Sequence, residues 1–379
     1  MLKNILLICA HKHDYDHRLP SLMYLKELGY NIRVIKSLME MNHFIERPDL
    51  AIMPDLSFSG MNALHDNMLY PLESMNIPYI TIWDTNPLRQ LDQLQYYKRN
   101  HLCLFVIDRY IVSQLHSLGF AQARYIEYPY VHPAHYGPSP VTTTLVKDLV
   151  FAGTISTVQN CNAYWCPALA AADVHDSHVC LLQRMLWASK GQYLDIFDLL
   201  QKYTTLNPFG RHFKMLSDYG MFLQKAIGRH FLLQTINKTS MSLDTYGNME
   251  GAFSLNGRII FHPWMDKNRA LRHLYRSARI NLCLTQFADA CHERMFQSAA
   301  CNGFILSERK AAAEEIFPDK QAAAYFDSLE EIPELAQYYL DHESERRAMA
   351  DKATEIYQAN FTHRHILGRM MAQVERMMQ

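Results

Sequence analysis

The chain has 379 residues, 49% hydrophobic and 20% charged. That is more than one average domain and supplies enough apolar side chains for two packed cores. Its 37 basic and 38 acidic residues leave a formal net charge of −1, which gives no electrostatic footprint for nucleic acid as a main partner.

The first run, "MLKNILLICA", is apolar for fewer residues than the roughly 7–15 of a signal-segment core, and a charged cluster follows it. No stretch reaches the roughly 18–20 apolar residues of a membrane span, so the expected compartment is cytoplasmic. The cluster itself, "HKHDYDHR" (His11 to Arg18), packs three histidines and two aspartates together. The spacing His11-x-His13-x-x-Asp16-His17 comes close to the H-x-H-x-D-H ligand signature of the metallo-β-lactamase fold. It has one residue too many, however, and follows a single strand where that fold has an antiparallel layer, so no metal site is expected. Two readings stay open. Asp14 and Asp16 suit the start of the next helix, which would make a capped turn. Alternatively, a histidine in a loop after the first strand, oriented by an aspartate, can take a proton from a hydroxyl.

From there the N-terminal third alternates strand-like runs ("NILLICA", "YNIRVIKS", "LAIMPD", "YITIWD", "LCLFVID", "ARYIEY") with stretches whose apolar residues recur every three or four positions. The latter include "LPSLMYLKELG", "PLRQLDQLQYYKRN" and "RYIVSQLHSLG", the last stopping at Gly119. This alternation predicts βαβ units and a parallel sheet covered on both faces. Residues 1–130 form the first expected domain. The proline-rich "YPYVHPAHYGPSPVTTT" breaks the pattern, and 131–147 reads as a linker.

Alternation resumes with "DLVFAG", "SMSLDTYG", "RIIFHPW", "RINLCLT", "FILSE" and "AAAYFD", strands of a second sheet in a domain over 148–355. About 164–238 reads as a helical insertion. The tail from Ser328 is helical, and packing of 356–379 back onto the N-terminal domain is one expected arrangement. The architecture is therefore α/β, with two doubly wound Rossmann-type domains facing across a cleft and ligands beyond the strand C-termini. The eight cysteines form no C-x-x-C pair, and Cys161 and Cys166 are too loosely spaced for a zinc half-site.

The most informative stretch is "ARINLCLTQFADACHERMFQSAACNGFILSE", Ala278 to Glu308. A strand runs to Leu284-Thr285 and a polar loop follows. A helix then starts near Cys291, with His292, Glu293 and Arg294 in its first turn, and stops at Asn302-Gly303. A helix N-terminus after a parallel strand is a ready anion site, and Arg294 adds a donor fork suited to phosphate.

Here the sequence resembles the CgeB-like (spore-maturation protein) branch of the GT-B glycosyltransferases. That family's strand-loop-R-x-F-E-A-x-A-x-G pattern is matched by Arg294-Met-Phe296-Gln297 through Gly303. Other pieces fall in family order: "YITIWDTNP", "DLVFAGTIS", "LDTYGN", "IIFHPWMDKNRALRHLYRSARINL" and "EEIPELAQYYLDHESERRAMADKATEIYQANFTHRHIL". The resemblance covers most of the chain and is weakest over Tyr164–Lys238.

The resemblance implies a glycosyltransferase with its donor in the C-terminal domain. That donor would be a nucleotide-sugar, UDP- or GDP-linked, and a hydroxyl acceptor would lie in the N-terminal domain. No metal and no cofactor beyond the donor is implied. Carried over by position, Gly153 and Thr154 approach the donor phosphates by backbone, and Tyr246 and Gly247 form the family's Y-G element. His262, Trp264 and Met265 border the base, and His292, Glu293 and Arg294 face the diphosphate. Gln297 stands where the family has a ribose-binding glutamate, a departure that weakens or re-routes that bond. Tyr246 and Trp264 also read as packing residues. His11, His13 and Asp84, at strand C-termini of the first domain, are the candidates for the base that deprotonates the acceptor. Whether the reaction inverts or retains configuration stays open, as do the acceptor class (glycan, protein or other surface molecule) and the oligomeric state. Two other readings stay open as well: an epimerase-like enzyme acting on nucleotide-sugars, and a non-catalytic nucleotide- or sugar-binding protein, for which Gln297 is the best argument.

Overall fold

In the computed structural model, the residues described are 2–9, 16, 18–36, 47–54, 72, 74–94, 101–131, 147–251, 253, 255, 257–265 and 270–379. The chain divides into two compact units, Met1–His132 with Ala359–Gln379, and Pro133–Gln358.

The first unit is built on a six-stranded parallel sheet in the order β2-β1-β3-β4-β5-β6. Its strands are β1 (Asn4–Ile8), β2 (Asn31–Ile35), β3 (Leu50–Pro54), β4 (Tyr79–Trp83), β5 (His101–Val106) and β6 (Ala123–Tyr125). The central β3 and β4 are buried along their whole length. That is why their sequences read as continuous apolar runs rather than alternating ones. Between the strands lie α1 (Leu19–Leu22), α2 (Leu91–Leu94) and α3 (Arg109–Ser117). Asp108 caps α3 by accepting from the N–H groups of Tyr110 and Ile111 at 2.9 and 3.3 Å. The helix ends at Gly119, whose φ of +93° a residue with a side chain adopts only under strain.

The second unit holds another six-stranded parallel sheet, ordered β11-β9-β7-β12-β13-β14, and a two-stranded pair β10-β8. These strands are β7 (Lys147–Ala152), β8 (Ile155–Ser156), β9 (Leu243–Tyr246), β10 (Met249–Glu250), β11 (Ile259–His262), β12 (Ala278–Cys283), β13 (Ile305–Glu308) and β14 (Ala324–Phe326). Four helices lie between β8 and β9: α4 (Val158–Ala171), α5 (Asp176–Ala188), α6 (Ile196–Tyr203) and α7 (Arg211–Asn237). The 27-residue α7 packs against the other three. Near its C-terminus Leu232, Leu233 and Ile236 join Phe151, Leu243, Ile280 and Leu306 in the sheet's own core. One helix thus belongs both to the helical group and to the sheet. The rest of the unit comprises α8 (Ala270–Ser277), α9 (Glu293–Ala300), α10 (Ala311–Ile316), α11 (Ile332–Asp341) and α12 (Glu343–Ile356).

The last helix, α13 (His363–Met377), returns to the first unit. It buries Ile366, Leu367, Met370, Met371 and Val374. Tyr30 Oη donates to Glu375 at 2.8 Å, and Arg369 and Arg364 pair with Glu127 and Glu27 at 3.0 and 2.5 Å. The arginine pairs are exposed and contribute little, so apolar burial is what holds the helix. Among the described residues no helix is long and apolar enough to cross a membrane. Leu367→Ala is expected to lower stability by about 2–5 kcal/mol, as other buried leucine truncations do. Urea denaturation followed by circular dichroism measures this, and an unchanged midpoint would show that α13 does not hold the first unit together.

Candidate functional site

The carboxyl edge of the second sheet is shaped by two glycines. Gly153 follows β7, and Gly247 follows the neighbouring β9. The Gly153 N–H donates to the Tyr246 carbonyl at 2.8 Å, and the Ile155 N–H to that of Asn248 at 2.8 Å. Gly247 has a φ of +152°, and a Cβ there would lie 2.6 Å from the Gly153 oxygen and 3.1 Å from the Thr154 nitrogen. The two turns therefore touch backbone to backbone, which only a residue without a side chain allows.

Two arginines converge on this turn. A Cβ on Gly153 would meet Arg294 Nη2 at 2.9 Å, the Phe151 ring at 3.2 Å and Arg229 Nη2 at 3.3 Å. Each guanidinium carbon lies 5.4 Å from the centroid of the Phe151 ring. Arg229 is only 7% exposed. Among the described residues no carboxylate stands within salt-bridge distance of either group. Arg294 donates to the Leu284 carbonyl at 3.2 Å, and Arg229 lies over the Phe151 ring. Burial first, and then the Arg294 charge, push Arg229 well below the ordinary arginine value, with Glu250 opposing. Two adjacent cations, one of them buried, with no carboxylate in salt-bridge distance among the described residues form a site for an anion.

The N-terminus of α9 opens beside them. His292 caps that helix, Nδ1 accepting the Arg294 N–H at 3.2 Å, and its Nε2 lies 3.5 Å from Arg294 Nη1. Burial, then the Arg294 charge, push the His292 imidazole down to about 3, with Arg229 and Lys225 adding to the effect and Glu293 opposing it. Glu293 is the first residue of the helix. Gln297, one turn on, is 4% exposed and its Oε1 accepts from Tyr275 Oη at 3.2 Å. Its carbonyl is thus engaged with α8.

Two strands away from β7, roughly 10 Å at the usual strand spacing, β11 ends at His262. His262 Nε2 lies 2.6 Å from Asp244 Oδ1, and Lys147 Nζ is 2.8 Å from the same oxygen. The His262 ring stacks on Tyr246 with centroids 4.3 Å apart and 9° between planes. Burial and the Asp244 carboxylate push the Tyr246 phenol up, against the Lys147 charge. Beyond the stack, Trp264 is 55% exposed and Met265 is part-buried. The second sheet therefore brings Gly153, Thr154, Gly247, His292, Glu293 and Arg294 to one edge, with Tyr246, His262, Trp264 and Met265 further along it.

In the first unit, Asp84 follows β4 and both of its oxygens accept from Arg18, Oδ1 from Nη2 at 2.5 Å and Oδ2 from Nε at 3.1 Å. The pair is buried, with side chains 3% and 8% exposed, and the Arg18 guanidinium lies 5.8 Å from the Tyr130 ring centroid. His11 and His13 lie outside the described residues. Among those that are described, no group of three or more His, Cys, Asp or Glu is placed to hold a metal ion.

Sequence reasoning missed Arg229, Lys225, Arg18 and Asp244. One signal was available: Lys225 and Arg229 are four apart on α7, a like-charged spacing that disfavours a helix unless something else uses it.

Residues 229–372 match the family described as glycosyl transferase-like, a segment that begins at Arg229. A search of curated proteins returned no match. Among solved structures, the chain resembles sucrose-phosphate synthase from Thermosynechococcus elongatus, with a TM-score of 0.61, 9% identity and 99% coverage of both chains. It resembles HepE of Anabaena in complex with UDP, with a TM-score of 0.56, 10% identity, and coverage of 99% of this chain and 100% of that one. A glycosyltransferase from Rickettsia africae gives a TM-score of 0.51, 11% identity and coverage of 100% and 99%. These likenesses show the fold, the two Rossmann-type units of the GT-B glycosyltransferases.

The glycine contact generates a graded expectation. In Gly247→Ala the overlap is with backbone and the backbone angle is unfavourable, so destabilisation of at least about 2 kcal/mol is expected. In Gly153→Ala the closest atom is the end of the Arg294 side chain, which can move, so the fold is kept. Denaturant midpoints of the two variants check this, and equal losses would count against the backbone contact as the limiting feature.

Proposed function

We propose that the chain is a GT-B glycosyltransferase, of the CgeB-like branch by the order of its motifs. It would move a hexosyl group from a nucleotide-sugar to a hydroxyl acceptor without a metal. The observation that carries the reading is the Arg229–Arg294 pair at the Gly153 turn, with Arg229 buried and no carboxylate in salt-bridge distance of either among the described residues. Supporting it are the family match that opens on Arg229, the shared fold, and a HepE relative of that fold solved with UDP and with UDP-glucose. A UDP-linked donor is the corresponding choice of substrate.

The physical task of such an enzyme is to stabilise the charge left on the diphosphate when the sugar departs. In this chain Arg229 is already buried at the turn and Arg294 is already beside it, so little reorganisation is needed as that charge develops. The Gly153 and Thr154 backbone lets a phosphate approach closely, and the N-terminus of α9 adds its dipole. The edge from Gly153 to His262 spans roughly the length from diphosphate to base, with Tyr246, His262, Trp264 and Met265 at its far end. Gln297, engaged with Tyr275, is assigned to packing rather than to the ribose. On the acceptor side, the Arg18 fork commits both oxygens of Asp84, and we assign that residue to bracing the end of β4. The acceptor base then falls to His11 or His13, whose loss should lower turnover by about 10²–10⁴-fold while donor affinity stays unchanged.

The first test is thermal. UDP or UDP-glucose at about 100 times its dissociation constant should raise the melting temperature by roughly 5–10 °C. Arg294→Met and Arg229→Met should each abolish most of that rise. Arg229→Met should leave the unliganded protein as stable or more so, because a buried cation without a partner is removed. A collapse of the unliganded variant would make Arg229 a structural residue and remove the main support for the proposal. Release of free sugar from bound UDP-glucose separates an enzyme from a non-catalytic binder, the reading that the Gln297–Tyr275 bond favours.

A further inference from the structure

Histidine is an unexpected residue at a helix start that opens on an anion site. Such caps are ordinarily Asp, Asn, Ser or Thr, whose side-chain oxygen accepts an N–H. In α9 the acceptor is His292 Nδ1, which takes the Arg294 N–H at 3.2 Å. A ring nitrogen that accepts an N–H carries no proton, so the single proton of the neutral imidazole sits on Nε2. Nε2 in turn lies 3.5 Å from Arg294 Nη1, and an arginine has only donors to offer. Two N–H groups therefore stand side by side, and neither can accept from the other. Arg294 Nη1 has the Leu284 carbonyl as an acceptor at 3.2 Å, so the Nε2 proton is the one left to donate to an oxygen that a ligand brings. The second, independent sign of a ligand is Arg229, 93% buried by its 7% exposure and aimed at the same Gly153 turn.

We propose that His292 is a neutral hydrogen-bond donor to an oxygen of the donor's diphosphate, held in that form by its own bond to the helix start. This rests on the diphosphate reading above. The charged groups that face the ring come from two helices: Arg294 and Glu293 from α9, Arg229 and Lys225 from α7. Three cations against one carboxylate oppose a positive imidazole, and burial works in the same direction. The ring therefore keeps its Nε2 proton, and only that one, through the neutral range. The geometry also explains the residue type. An aspartate would cap α9 equally well but would set a carboxylate against the phosphate. A serine would cap it and leave the phosphate oxygen one donor short.

The test uses the full chain and two probes, UDP-glucose and inorganic pyrophosphate, titrated by calorimetry. His292→Ser keeps a capping oxygen and should weaken both probes about 10-fold, the value of one hydrogen bond to a charged acceptor. His292→Asp should weaken them at least about 100-fold, through like charges in contact. Affinity of the native protein for UDP-glucose should be the same at about pH 5 as at about pH 8, because a neutral donor does not titrate there. Nitrogen-15 spectra of histidine-labelled native protein should show His292 protonated at Nε2 and bare at Nδ1, a readout that needs no variant to fold. Native affinity for both probes in His292→Ser would make the residue a cap only and overturn the inference. So would affinity that rises as the pH falls, or a proton on Nδ1. If pyrophosphate binds and is weakened by His292→Ser while UDP-glucose does not bind, the donor reading fails and the role of His292 stands. If neither probe binds the native protein, both fail.

Discussion

Two guanidinium groups share the ring of Phe151 and border the gap at Gly153, and among the described residues no carboxylate stands within salt-bridge distance of either. Such an arrangement works against folding, since Arg229 is a buried cation with a second cation beside it. It persists because both arginines are held by elements fixed elsewhere. Arg229 rides on α7, whose last two turns are part of the sheet core through Leu232, Leu233 and Ile236. Arg294 is tied by its side chain to the Leu284 carbonyl and by its N–H to His292. The strain of keeping them together is the same free energy that an anion recovers on binding.

The surrounding residue types follow from that constraint. Gly153 lets the arginine tips reach the turn, because a side chain there would displace them. Gly247 must be glycine because the Gly153 backbone lies against it. The cap of α9 is a neutral acceptor rather than an acidic one. Two other acidic side chains of this unit have partners of their own: Asp244 lies between His262 and Lys147, and Asp289 accepts the Ala312 N–H at 2.7 Å.

The fold class was legible because parallel strands covered on both faces leave a strong trace. "LAIMPD", "YITIWD" and "DLVFAG" are apolar at nearly every position, and each is a buried strand. Arg294 was legible because strand, loop and helix N-terminus are contiguous. Arg229 was not, since it sits 65 residues earlier on a helix whose pattern reports only its packing. Its meaning arises when α7 crosses the end of β7, a long-range contact that no local period encodes. The cap at His292 was half legible: the sequence puts the residue in the first turn, but which nitrogen accepts depends on where Arg294 places its N–H. Likewise Asp84 reads as a strand-end carboxylate, and nothing near it in sequence announces Arg18, 66 residues away.

The two units place arginine at the strand ends in opposite ways, and the contrast assigns their duties. Arg18 meets a carboxylate through two donors, and its charge is neutralised inside the protein. A buried pair of that kind adds little net stability, but removing one partner leaves an uncompensated charge, so it fixes geometry. Arg229 and Arg294 meet each other, and their charge is neutralised only from outside. The same side chain in the same kind of fold position is a brace where a carboxylate reaches it and a receptor where none does. Exposure alone does not separate the two cases, because Arg18 and Arg229 are both buried, 2% and 7% exposed. The difference lies in the partner.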